Sequence, residues 1–130
     1  MELYVTDTHS LIWYLIDSPK LGLDANKCFE RVEKGKAKLL IPAIVIAEII
    51  FILESGKVKA DLEEIFKRIE EAENFDISPL GVKQLRCLKE QIKISEMHDR
   101  LIVCETLIHN AKLVTKDNEI KEAGIVKVIW

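Results

Sequence analysis

The feature that most constrains the fold of this chain is a regular alternation of short apolar runs with helical patterns. The first apolar run, residues 3–6, ends at Asp7, and an apolar helical pattern starts at once. Nearly the same event recurs at residues 112–117, where a second apolar run leads into Asp117. Because neighbouring parallel strands are joined by crossover helices, this alternation predicts a parallel sheet covered on both faces.

The pattern predicts a single domain over residues 1–130, a Rossmann-like, three-layer α/β/α sandwich with a central parallel sheet of about five strands. The predicted strands span residues 3–6, 38–41, 75–77, 112–115 and 125–129, and the predicted helices span residues 8–16, 24–34, 42–53, 61–73, 78–89, 95–111 and 118–123. Three helix starts follow from residue type: Pro42 opens the third helix, Ser78-Pro79 the fifth, and Ser95 caps the sixth.

Composition limits the class of protein. The net charge of −3 argues against broad attraction to nucleic acid, although acids gathered in one pocket would be neutralised once cations bind there. The three cysteines have no metal-ligand or disulfide spacing, so we expect no structural zinc and a reduced, cytoplasmic compartment. The longest apolar run, residues 39–53, is too short to cross a bilayer, so no membrane association is predicted.

Glu48 is the most informative single residue, because it is the one charged or hydrogen-bonding side chain within residues 39–53. A helix that apolar is expected to be buried nearly all round. An unpaired carboxylate there would be costly unless it were protonated or bound to a partner. The ordinary alternatives are a partly exposed glutamate at the edge of the helix, or a glutamate paired with a lysine or arginine.

Three aspartates also have ordinary explanations when each is taken alone. Asp7 can cap the first helix, Asp99 can interact favourably with the dipole of its helix, and Asp117 can serve as a turn residue. However, ligands of open parallel sheets bind at the carboxyl ends of the strands, where the strand order reverses. We therefore expect Asp7 and Asp117, each placed directly after a strand, to share one site.

A site that gathered all four acids would need positive charge. Two carboxylates ~4 Å apart repel by about 4 kcal/mol at an effective dielectric constant near 20. Protons or hard divalent cations would relieve this repulsion, and an all-oxygen ligand set favours Mg²⁺ over zinc or copper. Metal-assisted hydrolysis of a phosphodiester is the chemistry that such a site serves best, because the metal acidifies a bound water and stabilises the reacting oxygens.

The chain resembles PIN-domain ribonucleases, and among them the compact prokaryotic toxins of VapC type. Four blocks carry the resemblance, in family order and across essentially the whole chain: residues 7–13 (DTHSLIW), 42–48 (PAIVIAE), 98–102 (HDRLI) and 113–117 (LVTKD). The resemblance implies that Asp7, Glu48, Asp99 and Asp117 are the metal-binding and catalytic acids. It also implies that Thr115 is a supporting hydroxyl and that Glu96 is an additional acid of second rank.

By the same resemblance, we expect Mg²⁺- or Mn²⁺-dependent cleavage of RNA that leaves a 5′-phosphate and a 3′-hydroxyl. The resemblance further implies a homodimer and a small antitoxin protein as partner. One departure lies in residues 103–106, where relatives often carry small residues and this chain has Val-Cys-Glu-Thr. Glu105 lies six positions after Asp99, on a different side of the helix, and is expected at the surface.

Two alternatives to an endoribonuclease stay open. The acid pocket could belong to a non-catalytic binding module that captures an arginine or lysine of a partner chain, or the enzyme could be a DNA or structure-specific nuclease. His9 is interpreted as a helix-start residue rather than a contact to substrate phosphate. Trp13, Tyr14 and Trp130 are interpreted as core or dimer-interface aromatics rather than platforms for base stacking.

Overall fold

A computed structural model describes all 130 residues of the chain and contains every predicted strand and helix. The strands are β1 (Glu2–Thr6), β2 (Ala37–Pro42), β3 (Phe75–Ser78), β4 (Lys112–Val114) and β5 (Val128–Ile129). The helices are α1 (Thr8–Leu15), α2 (Leu23–Glu33), α3 (Ala43–Glu54), α4 (Leu62–Glu71), α5 (Val82–Glu90), α6 (Met97–Ile108) and α7 (Asn118–Ala123). No helix is both long enough and apolar enough to cross a membrane.

All five strands form one parallel sheet in the order β3-β2-β1-β4-β5. The predicted α/β sandwich around a central parallel sheet is therefore confirmed. The chain builds outward from β1 through β2 to β3, and then returns to place β4 on the other side of β1. The strand order reverses at the β1–β4 pair, in which Thr6 lies opposite Val114. This pair is where the general rule for open sheets locates a ligand site.

Apolar side chains of the strands and of the helix faces that cover them form one buried core. The central strands contribute Val5, Leu39 and Leu113, all with no exposed surface. The α2 helix adds Phe29, whose ring stacks on Tyr14 of α1 with centroids 4.3 Å apart. Burial of these side chains positions both ends of β1, and through them the residues that follow the strand.

The three predicted helix starts are wrong by one to four residues. Pro42 ends β2 with an extended backbone, so it precedes α3 instead of forming its first turn. Ser78 ends β3, and α5 begins only after Gly81, whose N–H donates to the side chain of Gln84 at 2.9 Å. Ser95 donates to Glu119, and the cap of α6 is the next residue. In each case a strand or tertiary hydrogen bond outweighs the local helix signal.

The prediction that α3 is buried nearly all round is also wrong. Its fully buried residues are Val45, Ile46 and Ile49, which pack against the sheet and against α1 and α6. Phe51, on another face of the helix, is 73% exposed, and Glu48 is only partly buried. Apolar composition alone therefore did not show how much of α3 is buried, because no other element covers the face that carries Phe51.

Glu105 was expected at the surface but is 2% exposed. The α5 helix packs across α6 and covers this position. The carboxylate accepts hydrogen bonds from the hydroxyl of Ser78 and from Nε2 of Gln84, the latter at 3.0 Å. Nε2 of His109, one turn further along α6, lies 2.6 Å from it. The carboxylate is thus buried together with its own polar partners, as a buried charge requires.

Candidate active site at the carboxyl edge of the sheet

Asp7 is held at the β1–β4 junction by both its backbone and its side chain. Its N–H donates to the carbonyl of Val114 at 3.2 Å, which continues the sheet by one residue. Its Oδ1 accepts from the N–H of Ser10 at 2.9 Å, so the carboxylate caps α1. The predicted capping role is therefore present, and it leaves the other carboxylate oxygen available to a further partner.

Thr115 connects the first and last of the four acids. Its side chain has no exposed surface, and its hydroxyl donates to Oδ2 of Asp7. The same hydroxyl oxygen accepts from the N–H of Asp117 at 3.1 Å. Oδ1 of Asp117 in turn accepts from the N–H of Ile120 at 3.0 Å and caps α7. One buried hydroxyl thus sets the relative positions of two carboxylates that are 110 residues apart in sequence.

Glu48 reaches the same edge from α3. Its Oε1 accepts from the hydroxyl of Thr8 at 2.8 Å, and Thr8 is 4% exposed. Sequence reasoning did not single out Thr8. The available signal was its position directly after Asp7, where a hydroxyl at the start of α1 faces the carboxyl edge of the sheet. Thr8 orients Glu48 much as Thr115 orients Asp7.

Asp99 and Glu96 lie together at the start of α6. Glu96 is the cap of this helix, and its Oε2 accepts from the N–H of Asp99 at 2.7 Å. Its other carboxylate oxygen contacts Nδ1 of His98. The hydrogen bond to Glu96 raises the pKa of His98, and the nearby charges of Glu48 and Asp99 act in the same direction.

The charges that act on Asp99 come from the other acids of this edge. Burial raises the pKa of its carboxyl to about 7, together with the negative charges of four neighbours: Asp117, Glu96, Asp7 and Glu48. None of the four predicted acids forms an ion pair with a lysine or arginine. Arg100 instead donates to the carbonyl of Ile94. The four predicted acids therefore lie near enough to act on one another electrostatically, with Glu96 and His98 beside Asp99 and with no lysine or arginine paired to any of the four.

The carboxylate oxygens of the acids are suitable ligands for a metal ion, but they do not form a complete coordination site. No group of three or more His, Cys, Asp or Glu side chains is arranged so that it could hold an ion as the structure stands. Mg²⁺ usually needs only one or two carboxylates, with waters and substrate phosphates completing its shell. The carboxylates of Asp7, Glu48, Asp99 and Asp117 suit such a hard cation, because their donor atoms are all oxygens.

An open cavity of about 310 Å³ lies beside the acid cluster. Its lining residues are Asp7, His9, Ser10, Trp13, Lys116 and Asp117. Two of the predicted acids thus face a space large enough for a small polar ligand. His9 and Lys116 are exposed at this cavity, while Trp13 is only partly buried.

Comparison with known proteins identifies the class. The family model of the PIN domain matches residues 4–126, almost the entire chain. The chain therefore belongs to the PIN domain family. PIN domains are nucleases, and this membership supports a hydrolase. No curated protein matches the sequence significantly.

Solved structures that resemble the chain agree with this fold. A chain of VapBC2 from Rickettsia felis, bound to a DNA fragment from its promoter, is 20% identical with a TM-score of 0.69, over 97% of this chain and 96% of that one. A chain of VapBC-1 from nontypeable Haemophilus influenzae is 21% identical with a TM-score of 0.62, over 97% and 96%. A chain of a toxin–antitoxin complex from Klebsiella pneumoniae is 17% identical with a TM-score of 0.65, over 97% and 95%.

Proposed function

We propose that the protein is a Mg²⁺- or Mn²⁺-dependent endoribonuclease and the toxin of a VapBC-type toxin–antitoxin pair. The observation that carries this proposal is the convergence of Asp7, Glu48, Asp99 and Asp117 without a lysine or arginine partner. A cluster of acids that lacks its own cation is suited to binding one from solution. The PIN domain fold, on which this cluster lies at the carboxyl edge of the sheet, supports phosphodiester hydrolysis.

The roles of the residues follow from their hydrogen bonds. A bound Mg²⁺ or Mn²⁺ supplies the charge that acidifies a water molecule and stabilises the attacking and leaving oxygens of the phosphodiester. Thr115 and Thr8 hold Asp7 and Glu48 in fixed orientations. Burial and the neighbouring acids raise the pKa of Asp99 to about 7, so cation binding near neutral pH favours release of a proton from its carboxyl. Glu96 positions Asp99 through its backbone N–H.

The proposed partners are RNA, a small antitoxin and a second copy of the chain. The likeness to chains from VapBC complexes supports the antitoxin, whose basic side chain would compete with the metal for the acid cluster. Exposed apolar side chains on α3 and α5, Phe51 and Val82 among them, support a homodimer. Light scattering of the purified protein, alone and with the product of the adjacent reading frame, tests both assemblies.

Cleavage of end-labelled RNA and DNA strands, with Mg²⁺ or Mn²⁺ and with EDTA, tests the activity. We expect cleavage of single-stranded RNA only when the divalent ion is present, and products with a 5′-phosphate. Asp7→Asn should remove this activity, whereas Asp61→Asn should keep it. The two variants are matched, because both aspartates cap a helix and asparagine preserves capping. Preferential cleavage of DNA would overturn the RNA assignment.

A thermal shift with Mn²⁺ separates the enzyme from a module that only binds basic peptides. Ligand binding to the folded state stabilises it by about 2.7 kcal/mol at a hundredfold excess over Kd. For a domain of this size, that free energy corresponds to a rise in Tm of several degrees. The rise should disappear in the Asp7→Asn variant and persist in the Asp61→Asn variant. A flat response of the unmodified protein would favour the binding module.

A further inference from the structure

One wall of the cavity beside the acid cluster is aromatic. The rings of His9 and Trp13 lie with centroids 5.6 Å apart and planes at 52°. Trp130 packs against Trp13 edge-on, with centroids 5.8 Å apart. Trp13 packs against the buried core, as the sequence predicted, and it also lines the cavity that contains Asp7 and Asp117.

The aromatic wall, formed by His9 and Trp13, is supported by Trp130. A Cβ atom at Gly22 would lie 2.7 Å from backbone and ring atoms of Trp130, so Trp130 packs directly on bare backbone. Trp130 in turn supports Trp13, which also packs against the buried core. A ligand that packs on Trp13 therefore has little side-chain motion to suppress, and preorganised contacts of this kind favour binding.

The cavity lining carries charges of both signs. Asp7 and Asp117 belong to the acid cluster, where a bound divalent cation would offset their charge, and Lys116 is the one lysine or arginine in the lining, with an exposed ammonium group. The same ammonium group attracts a phosphate. Trp and His rings offer stacking surfaces for unpaired bases, the part of single-stranded RNA that proteins most often read.

We propose that this cavity, defined by His9, Trp13 and Lys116, is the subsite for the nucleoside next to the phosphodiester that is cut. The base packs against His9 and Trp13, and Lys116 meets the phosphate on the far side of that nucleoside. This assignment rests on the proposed nuclease function and extends it. It identifies an unpaired nucleotide as the recognised element, with stacking rather than hydrogen bonding to base edges as the main contact.

An abasic scan tests the subsite. A single-stranded RNA that the protein cuts is prepared as a series in which one base at a time is replaced by hydrogen. We expect kcat/KM, measured with Mn²⁺, to fall by roughly tenfold to a hundredfold when the base beside the cut is missing. Removal of a base several positions away should change kcat/KM much less.

Variants then show whether the missing base and the aromatic wall act together. Trp13→Leu should lower kcat/KM for intact RNA and abolish most of the effect of the abasic position, as coupled contacts do in a double-mutant cycle. Trp13→Phe, which keeps an aromatic ring, should retain most of that effect. His9→Ala alters an exposed side chain and provides the same test without disturbing the core. An equal abasic effect in all four proteins would overturn the proposal.

The salt dependence of kcat/KM tests the proposed phosphate contact of Lys116. Lys116→Gln should reduce the slope of log(kcat/KM) against log[salt] by about one phosphate contact, ~0.7 for a single strand. Lys121→Gln, an exposed lysine of α7 outside the cavity, should leave the slope unchanged. Unchanged slopes in both variants would remove Lys116 from the subsite.

Two further outcomes separate failure of the subsite from failure of the nuclease assignment. Cleavage of no strand by the unmodified protein would remove the nuclease function, and the subsite with it. Normal cleavage without any abasic effect, combined with quenching of Trp13 fluorescence by an arginine-rich peptide, would instead assign the cavity to a basic partner. That second result would overturn the subsite and leave the nuclease function intact.

Discussion

Asp99 and Glu105 lie six residues apart on α6, yet the two carboxylates have opposite surroundings. Glu105 is 2% exposed and has Ser78, Gln84 and His109 as hydrogen-bonding or ion-pair partners. Asp99 is only partly buried, forms no ion pair with a lysine or arginine, and faces other acids whose charges help to raise its pKa to about 7. The more deeply buried acid is thus the better satisfied one.

The contrast shows which property marks an acid as functional in this molecule. A buried carboxylate with its own donors holds elements together, here the end of β3, α5 and α6. A carboxylate among other carboxylates destabilises the metal-free protein, and only a cation from outside can relieve the repulsion. Proximity to other acids without a lysine or arginine partner, rather than depth of burial, therefore distinguishes the candidate site from a structural polar network.

The largest predicted effect is a difference in RNA cleavage between variants of Asp99 and Glu105. Asp99→Asn should lower the rate of RNA cleavage roughly a thousandfold, within the range for loss of a residue that acts on the reacting groups. Glu105→Gln, the matched change on the same helix, should alter that rate by less than about threefold when both proteins are fully folded. Single-turnover cleavage assays measure both rates. Comparable losses in the two variants would mean that Glu105 also takes part in the reaction.

The next predicted effect is a difference in the free energy of unfolding between variants of Asp99 and Glu105. Glu105→Ala should lower the free energy of unfolding by about 2–4 kcal/mol, because it leaves a cavity and removes the acceptor for the hydrogen bonds that Ser78 and Gln84 donate. Asp99→Asn should instead maintain or raise the stability of the metal-free protein. Urea titrations in EDTA measure both differences. Tolerance of Glu105→Ala would show that the buried network is dispensable.

A pH titration sharpens the same comparison. The pKa of Asp99 is raised in the folded protein from 3.8 to about 7, so the folded state binds more protons than the unfolded state between these values. The free energy of unfolding should therefore fall as pH rises from about 4 to about 7. His98, whose pKa is also raised, acts in the same direction. After allowance for solvent screening of a partly exposed group, the fall due to Asp99 is about 1–2 kcal/mol.

Urea titrations of the metal-free protein at pH 5 and pH 8 measure this fall. The Asp99→Asn variant should lose most of it, because asparagine has no proton to exchange in this range. Saturating Mn²⁺ should also reduce the fall in the unmodified protein, since cation binding displaces the proton. An equal pH dependence with and without Asp99 would locate the titrating group elsewhere.

The smallest predicted effect concerns capping within the acid cluster. Asp117 caps α7 through the N–H of Ile120, so Asp117→Ala should lower the free energy of unfolding by about 1 kcal/mol. Asp117→Asn keeps an acceptor and also relieves repulsion with Asp99, so it should leave the free energy of unfolding of the metal-free protein unchanged to within a few tenths of a kcal/mol or raise it. Both variants should lose cleavage activity to a similar degree. Thermal melts in EDTA, combined with the RNA assay, separate the structural role of the side chain from its proposed role in the reaction.

Local patterns were sufficient to predict the elements of the fold and most of the candidate site. Alternating apolar runs and helical faces predicted all five strands and seven helices, because such periodicity depends on which residues neighbour each other along the chain. The two strand ends predicted that Asp7 and Asp117 would meet, since parallel strands share a carboxyl edge. The isolated carboxylate in an apolar helix singled out Glu48, and the resemblance to the PIN domain family assigned Glu48 and Asp99, which lie on helices, to the same site.

The sequence by itself determined the βα order, the sheet and the acids that follow its strands. Only the tertiary structure decided that Glu105 is buried, that α3 exposes Phe51, and that Trp13 faces a cavity. The physical reason is the same in each case. Helical periodicity shows which side chains share a face, but the packing of distant elements decides whether that face meets α5, solvent or an open cavity.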